Sequence, residues 1–346
     1  MATLQELLSR LVEHQDLTAA ETAAVMDSVL TDAASPVQIA GFLAALRVKR
    51  ETPEEVEGLA SAMLEHAIRI EVPGRCVDIV GTGGDGFNTV NISTMASLVI
   101  AGTGLTVVKH GNRGATSMSG SADVLGVLGV RLDLPPERVA ELATEVGITF
   151  CFAQVFHPSM RHAMPIRKEL GVPTTFNILG PLTNPAQPAA TAIGSSSLRV
   201  SPVLAGVLAR QGRQGLVFHG DDGLDELAPT AAATVWEVRG EGAVEHRLDP
   251  VVDLGVPACT IEDLRGHTPE HNAAVVREVL AGHQGHVRDT VVLNAAAGIV
   301  ADGTLAGTAS GTLTERFNAA LNHAVEAIDS GAAADVLERW SVASRA

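Results

Sequence analysis

The sequence predicts a helical unit over residues 1–72 followed by an α/β unit over 73–346, built on a largely parallel sheet with helices on both faces. Residues 3 to about 70 carry helical periodicity and helix caps and nothing else. After the break at Val72-Pro73-Gly74, short β-branched runs alternate with apolar helical patterns. Glycine-rich turns sit directly after the first two of those runs.

In chain order, Leu4, Leu7, Leu8 and Leu11 recur at the spacing that lays one apolar stripe on a helix. Thr18 with Glu21, and Thr52 with Glu55, have capping-box spacing, and Pro53 stands at a first helical position. Ser35-Pro36 opens a third helix through Phe42, Leu43 and Leu46. Strands are expected at Cys76–Val80, Thr106–Lys109, Ile148–Phe152 and Leu216–His219. Helices are expected at Ser93–Ala101, Ala122–Leu128, Pro135–Val146, Val200–Arg213, Asn272–Leu280, Thr290–Val300 and Leu313–Ser330. The chain shows no internal repeat and no long linker, so both units are expected to form one rigid body.

Composition narrows the function. With 346 residues, 46% of them hydrophobic, the chain can bury a large core. Lys+Arg 24 against Asp+Glu 40 gives a net charge of −16, which argues against a nucleic-acid-coating protein. Eight Phe, two Trp and no Tyr leave few stacking platforms for single strands. An acidic shell still permits a local basic pocket for an anionic substrate. Cys76, Cys151 and Cys259 form no CxxC pair, so neither a disulfide framework nor a zinc knuckle is expected. The first residues lack a basic stretch followed by an apolar one, and no uncharged run reaches membrane-span length; a cytoplasmic protein without membrane partner is expected.

Three segments carry chemistry. Gly81-Thr82-Gly83-Gly84-Asp85-Gly86 follows a strand and precedes a helix, satisfying GxGxxG. The stretch to Lys109 has no acidic residue to hold a ribose, and no Gly-Lys-Ser/Thr closes the loop, so dinucleotide and Walker-type readings both fail. What remains is an anion cradle at a helix N-terminus, with Asn91, Ser93 and Thr94 adding side-chain donors. Lys109-His110-Gly111-Asn112-Arg113-Gly114 is a second such loop, and Lys109 is one of only three lysines in the chain. Two anion-type loops on successive strands point to a substrate with more than one phosphate. His219-Gly220-Asp221-Asp222-Gly223-Leu224-Asp225-Glu226 places four carboxylates in six residues. Beside a polyphosphate pocket, Asp225 and Glu226 suit Mg²⁺, whereas Asp221-Asp222-Gly223 has turn chemistry. Arg161, Arg167 and Lys168 either line an exposed helix or, through one arginine, grip a carboxylate. By themselves His110, His157 and His162 lack metal-ligand spacing and read as packing or supporting residues.

Residues 81–85 (GTGGD), 91–94 (NIST), 109–113 (KHGNR), 120–125 (GSADVL), 177–185 (NILGPLTNP) and 222–226 (DGLDE) resemble the anthranilate phosphoribosyltransferases, in order and spacing over nearly the whole chain. Met118, Gly126, Pro173 and Ala228 depart from the family pattern. The resemblance implies a small all-helical domain joined to an α/β domain with a mostly parallel central sheet, as in nucleoside phosphorylases and phosphoribosyltransferases. It also implies that part of 157–185 joins the helical domain and that a homodimer forms through that domain. The implied reaction transfers the phosphoribosyl group of phosphoribosyl pyrophosphate (PRPP) to the amine of anthranilate, the second step of tryptophan synthesis from chorismate, with two Mg²⁺ ions. By position, the resemblance assigns PRPP to Gly81, Gly84, Asp85, Thr89, Asn91, Ile92, Ser93, Thr94, Ser121 and the run Lys109, His110, Gly111, Asn112, Arg113, Gly114, Ala115, Thr116 and Ser117. It assigns anthranilate to Gly81, Asn112 and Arg167, with Asn112 and Arg167 positioning it and no discrete acid or base, and metal to Ser93, Asp225 and Glu226.

A pyrimidine nucleoside phosphorylase shares this architecture but carries a Lys beside its first glycine loop, where Asp78-Ile79-Val80 stands here. A nucleic-acid-binding paralogue without catalysis would need a basic surface and could dispense with Asp225-Glu226. Transfer to another amino-aromatic acid remains open at this point.

Overall fold

The computed structural model describes residues 2–114, 118–240 and 242–346. Four helices open the chain, α1 (Leu4–Val12), α2 (Ala19–Leu30), α3 (Pro36–Lys49) and α4 (Pro53–Glu65). Each begins at a hydroxyl residue, Thr3, Thr18, Ser35 and Thr52, whose oxygen accepts the N–H three residues on. Glu6, Glu21, Gln38 and Glu55 return the bond to the cap backbone. Glu55 is fully buried and accepts from the Leu17 N–H at 2.9 Å while pairing with Lys49 at 2.9 Å, so one carboxylate ties α4 to α3 and to the turn before α2.

The rest of the chain forms a seven-stranded sheet: β1 (Cys76–Gly81), β2 (Thr106–Gly111), β3 (Ile148–Phe152), β4 (Ala190–Gly194), β5 (Gln214–Gly220), β6 (Ala233–Arg239) and β7 (Gly242–Leu248). The spatial order is β3-β2-β1-β4-β5-β6-β7; the first five strands run parallel, and β6 and β7 complete the edge as an antiparallel pair. The four expected strands are present. The helix expected at Val200–Arg213 ends at Arg210, because Gly212 takes a left-handed φ of +66° and turns the chain into β5. Two further helices matter for the site, α5 (Ile92–Gly102) and α6 (Ser121–Val127).

Apolar packing ties the units together. Ile193, Val217 and Trp236 on one sheet face share a cluster with Leu204 and Leu208, with Phe42 and Leu59 of the helical unit, and with Phe176, Leu179 and Leu182. The other face packs on α5 and on the helix His286–Asp302, with the helix Leu313–Asp329 packed against those two in turn. Strands β2 and β3 lie to one side of β1 while β4 and β5 lie to the other, so the connections diverge between β1 and β4. In open α/β sheets a crevice opens there, beyond the carboxyl ends of the strands. No helix among the described residues is long and apolar enough to cross a membrane.

Candidate active site

The crevice is bounded by glycines for a steric reason. Gly81 ends β1 and Gly194 ends β4, and both abut Asp225, which follows β5. A Cβ on Gly81 would fall 2.9 Å from the Asp225 carboxyl carbon, and one on Gly194 would fall 2.5 Å from its carbonyl carbon. Only bare backbone lets the acidic segment sink between the two strand ends. Asp225 is then held by the Gly83 N–H, which donates to its Oδ2 at 2.6 Å. Gly83 and Gly84 adopt φ of +70° and +82°, which lets the loop curl over the carboxylate.

The loop brings a third carboxylate with it. Ligand oxygens of Asp85, Asp225 and Glu226 lie within 4.8 Å of one another. Burial, then the charge of Asp85, pushes the Asp225 carboxyl up to about 7; burial and the Asp225 charge push Glu226 well above the usual carboxylate range. Oε2 of Glu226 is buried without a hydrogen-bond partner among the described residues. Three hard oxygen donors, mutually repelling and with one atom unsatisfied, fit a divalent cation of the Mg²⁺ type. Asp85, expected only among the donor-binding residues, therefore stands with the metal-type pair. The Asp221-Asp222-Gly223 segment is a turn as expected: Asp222 accepts from Leu224 N at 3.1 Å and from Thr230 Oγ1 at 2.5 Å, and Gly223 has φ +95°.

Lys109 is buried on β2, and its Nζ donates to Ile79 O at 2.6 Å and to Ser93 Oγ at 3.2 Å. Burial pushes the ammonium down to about 8, against the pull of Asp78, Glu226 and Asp225. Ser93 thus meets the lysine at the start of α5. Thr94 Oγ1, one residue on, is buried with no partner among the described residues. Ile92 is fully buried, and Thr89 bridges to Arg265.

The second loop is organised by Asp123, which sequence reasoning missed. Its carboxylate accepts from Gly114 N and Gly120 N at 2.9 Å each and from Arg113 Nη1 at 3.0 Å. Burial pushes Asp123 up, but these donors outweigh it and hold it below the usual range. Gly120 must lack a side chain, since its Cβ would fall 2.5 Å from the Arg113 carbonyl carbon. Asn112 Oδ1 accepts from Arg113 N at 2.8 Å and from Gln154 Nε2 at 3.4 Å. Gly111 packs against the Phe150 ring, and Ser121 begins α6. Ala115, Thr116 and Ser117 lie outside the described residues.

The His110 ring turns inward, with Nδ1 at 3.0 Å from Gly180 O and its face 5.1 Å from His157, whose Nε2 meets Thr183 O at 3.0 Å. Burial pushes these imidazoles down to about 3 and about 4, so both are neutral. The same 176–182 segment supplies Phe176, over whose ring the Arg167 guanidinium sits at 5.2 Å. Arg167 is half-buried, its pKa lowered by desolvation, and its other contact is Met164 Sδ at 3.6 Å. A desolvated guanidinium resting on an aromatic face and a sulfur, with no carboxylate paired to it among the described residues, is set up to receive an anion. Arg161 and Lys168 are exposed.

The comparisons with known proteins agree with this geometry at two levels. The glycosyl transferase family, a/b domain, matches residues 73–334, and that family's helical bundle domain matches residues 5–67, which sets the class as a glycosyl transferase fold. Within the class, an anthranilate phosphoribosyltransferase from Arthrobacter sp. (strain FB24) is 58% identical over 343 residues, covering 99% of this chain and 96% of the relative. The crystal structure of the anthranilate phosphoribosyltransferase of Thermus thermophilus superposes with a TM-score of 0.90 at 43% identity, covering 98% of this chain and 99% of that one. The Saccharomyces cerevisiae enzyme, solved in complex with PRPP and Mg, gives 0.87 at 29% identity over 99% of this chain and 98% of that one, and has also been solved with 4-fluoroanthranilate. The chain belongs to the anthranilate phosphoribosyltransferase family.

Proposed function

We propose that the chain binds PRPP across the two glycine loops and anthranilate beside Arg167, and joins them into N-(5-phosphoribosyl)anthranilate with release of pyrophosphate. The observation that carries this reading is the acidic trio Asp85, Asp225 and Glu226, gathered at the β1–β4 switch point within reach of the uncapped start of α5 and the buried Lys109. Asp225, Glu226 and Asp85, with Ser93, would hold Mg²⁺, and two ions suit that many oxygens. Bound there, Mg²⁺ neutralises charge on the pyrophosphate as it leaves.

The chain's own groups do the rest. Lys109 and the amino end of α5 (Asn91, Ile92, Ser93, Thr94) bind the donor's anionic groups, joined by Gly81, Gly84, Thr89, Ser121 and the 109–114 loop. Arg167 grips the anthranilate carboxylate, and Asn112 with Gly81 aligns the amine with the anomeric carbon. An aromatic amine is unprotonated at neutral pH, so its nitrogen attacks directly as the bond from carbon to pyrophosphate breaks, and the surplus proton leaves to solvent. No general base is required, in keeping with the neutral, inward-turned His110 and His157. The rate then comes from alignment and from electrostatic stabilisation of the departing charge.

The same reading takes residues 1–72 as the helical unit and 73–346 as the catalytic unit. It makes the chain a homodimer through the helical unit, where Val12, Val37 and Val48 stand 71, 82 and 72% exposed. Three free cysteines, two of them buried, suit a cytoplasmic protein. The test is the loss of anthranilate fluorescence on adding PRPP and Mg²⁺. EDTA-sensitive loss is expected; donor binding without loss would leave the scaffold and remove this acceptor.

A further inference from the structure

Asn91 occupies the N-cap of α5, yet its side chain makes no capping bond to that helix. It is drawn away by Ser119, whose Oγ donates to Asn91 Oδ1 at 3.4 Å, and more closely by Asn272, an asparagine 1% exposed on the helix Pro269–Leu280. Asn272 Nδ2 donates to Asn91 Oδ1 at 2.9 Å, and Asn272 Oδ1 accepts from the His267 N–H at 2.9 Å. Asn91 Nδ2 in turn donates to Ser119 O at 3.0 Å.

This relay runs from a backbone N–H to a backbone C=O, two groups whose polarity cannot be reversed. Both amides between them therefore have a single orientation that satisfies every member; flipping either sets oxygen against oxygen or N–H against N–H. Asn91 Oδ1 is consumed, and the relay leaves over the second hydrogen of its Nδ2. The relay also joins three pieces of the site: the segment 264–272, which pairs with residues 88–90 between the first loop and α5 through Leu264 O and the Thr89 bridge, the start of α5, and the end of the second loop.

We infer that Asn272 is a positioning residue for the phosphoribosyl donor: it locks the Asn91 amide so that an N–H, and not a carbonyl oxygen, faces the donor's anionic groups. The inference rests on the reading that Asn91 binds the donor.

Asn272→Asp is nearly isosteric and reverses the relay. One Asp oxygen still accepts from His267; the other confronts Asn91, which must turn its Nδ2 toward it and present Oδ1 to the Ser119 carbonyl and to the donor. The KM for PRPP and its Kd in Mg²⁺ should rise about tenfold or more, the factor of one hydrogen bond to a charged group, while the anthranilate KM stays within about twofold. In an Asn91→Ala background, Asn272→Asp should add nothing to the donor KM. Should Asn272→Asp fail to fold, Asn272→Ala is expected to give the same selectivity at smaller size. If Asn91→Ala leaves the donor KM unchanged, the underlying reading of Asn91 is wrong. If Asn91→Ala raises it and neither Asn272 variant does, or if both substrates' KM rise together with a lower Tm, the positioning role is wrong.

Discussion

Gly81→Ala is the sharpest probe of how the metal-type cluster is held. The new Cβ would lie 2.9 Å from the Asp225 carboxyl carbon and nearer still to Oδ2, where ordinary contact begins near 3.4 Å. Asp225 cannot retreat along its backbone, because the opposite side of the segment is pressed against Gly194. The carboxylate must therefore swing by about 1 Å, losing the 2.6 Å bond from Gly83 N and its place beside Asp85 and Glu226. A displacement of that size at a group that aligns the leaving charge costs about a hundredfold in rate. The assay is anthranilate fluorescence across a Mg²⁺ titration, with Tm by calorimetry. The expected result is kcat/KM down about a hundredfold and a higher Mg²⁺ requirement, with the fold intact. Gly126→Ala is the control: its Cβ meets nothing within 4 Å, and φ is not left-handed there, so activity should be unchanged and stability should rise slightly. Full activity in Gly81→Ala would refute the steric account of the crevice.

Other outcomes follow from the same geometry. Arg167→Ala removes the desolvated guanidinium over Phe176 and should raise the anthranilate KM about tenfold or more with little change for PRPP; equal effects on both would take Arg167 out of acceptor binding. Asp123→Ala strands the N–H groups of Gly114 and Gly120, so the PRPP KM should rise severalfold and Tm should fall by a few degrees; an unchanged PRPP KM would detach this loop from the donor. Asp225 titrates near 7 when folded, against 3.8 ordinarily, so the metal-free fold holds the extra proton and loses this group's contribution as pH rises from about 4 to 7. Mg²⁺ must displace that proton, so it should raise Tm more at about pH 8 than at about pH 6, by calorimetry with and without EDTA; equal shifts would contradict the coupling.

Much of the fold is legible in local pattern because β1, β2, β3 and β5 are short apolar runs with β-branched or aromatic residues, ended by glycine or by a helix, and because hydroxyl caps announce α2, α3 and α4. The β4 strand escapes, since Ala190-Thr-Ala-Ile-Gly194 is short and small-residued; its conformation is imposed by pairing between β1 and β5. The hairpin of β6 and β7 escapes as well: β7 is exposed along most of its length, so it carries no apolar alternation to read. In the site, Lys109 stands out as one of only three lysines, placed at the carboxyl end of a strand, and Asp225 and Glu226 as part of a run of four carboxylates in six residues. Asp85 in the acidic trio, Asp123 under the second loop and Asn272 behind Asn91 do not stand out. Asp85 and Asn272 have their partners 140 or more residues away, and only the closed sheet brings them together. Asp123 finds its partners within ten residues, at Arg113, Gly114 and Gly120, but nothing in the residue types marks the loop folding back on α6.

The most direct measurement counts pyrophosphate released per anthranilate consumed, in the wild-type protein and in Asp225→Asn/Glu226→Gln, with PRPP and Mg²⁺ present. The account predicts one-to-one stoichiometry in the wild type and loss of both signals in the double variant, with PRPP alone releasing no pyrophosphate. Pyrophosphate release uncoupled from anthranilate, or undiminished turnover in the double variant, would contradict it.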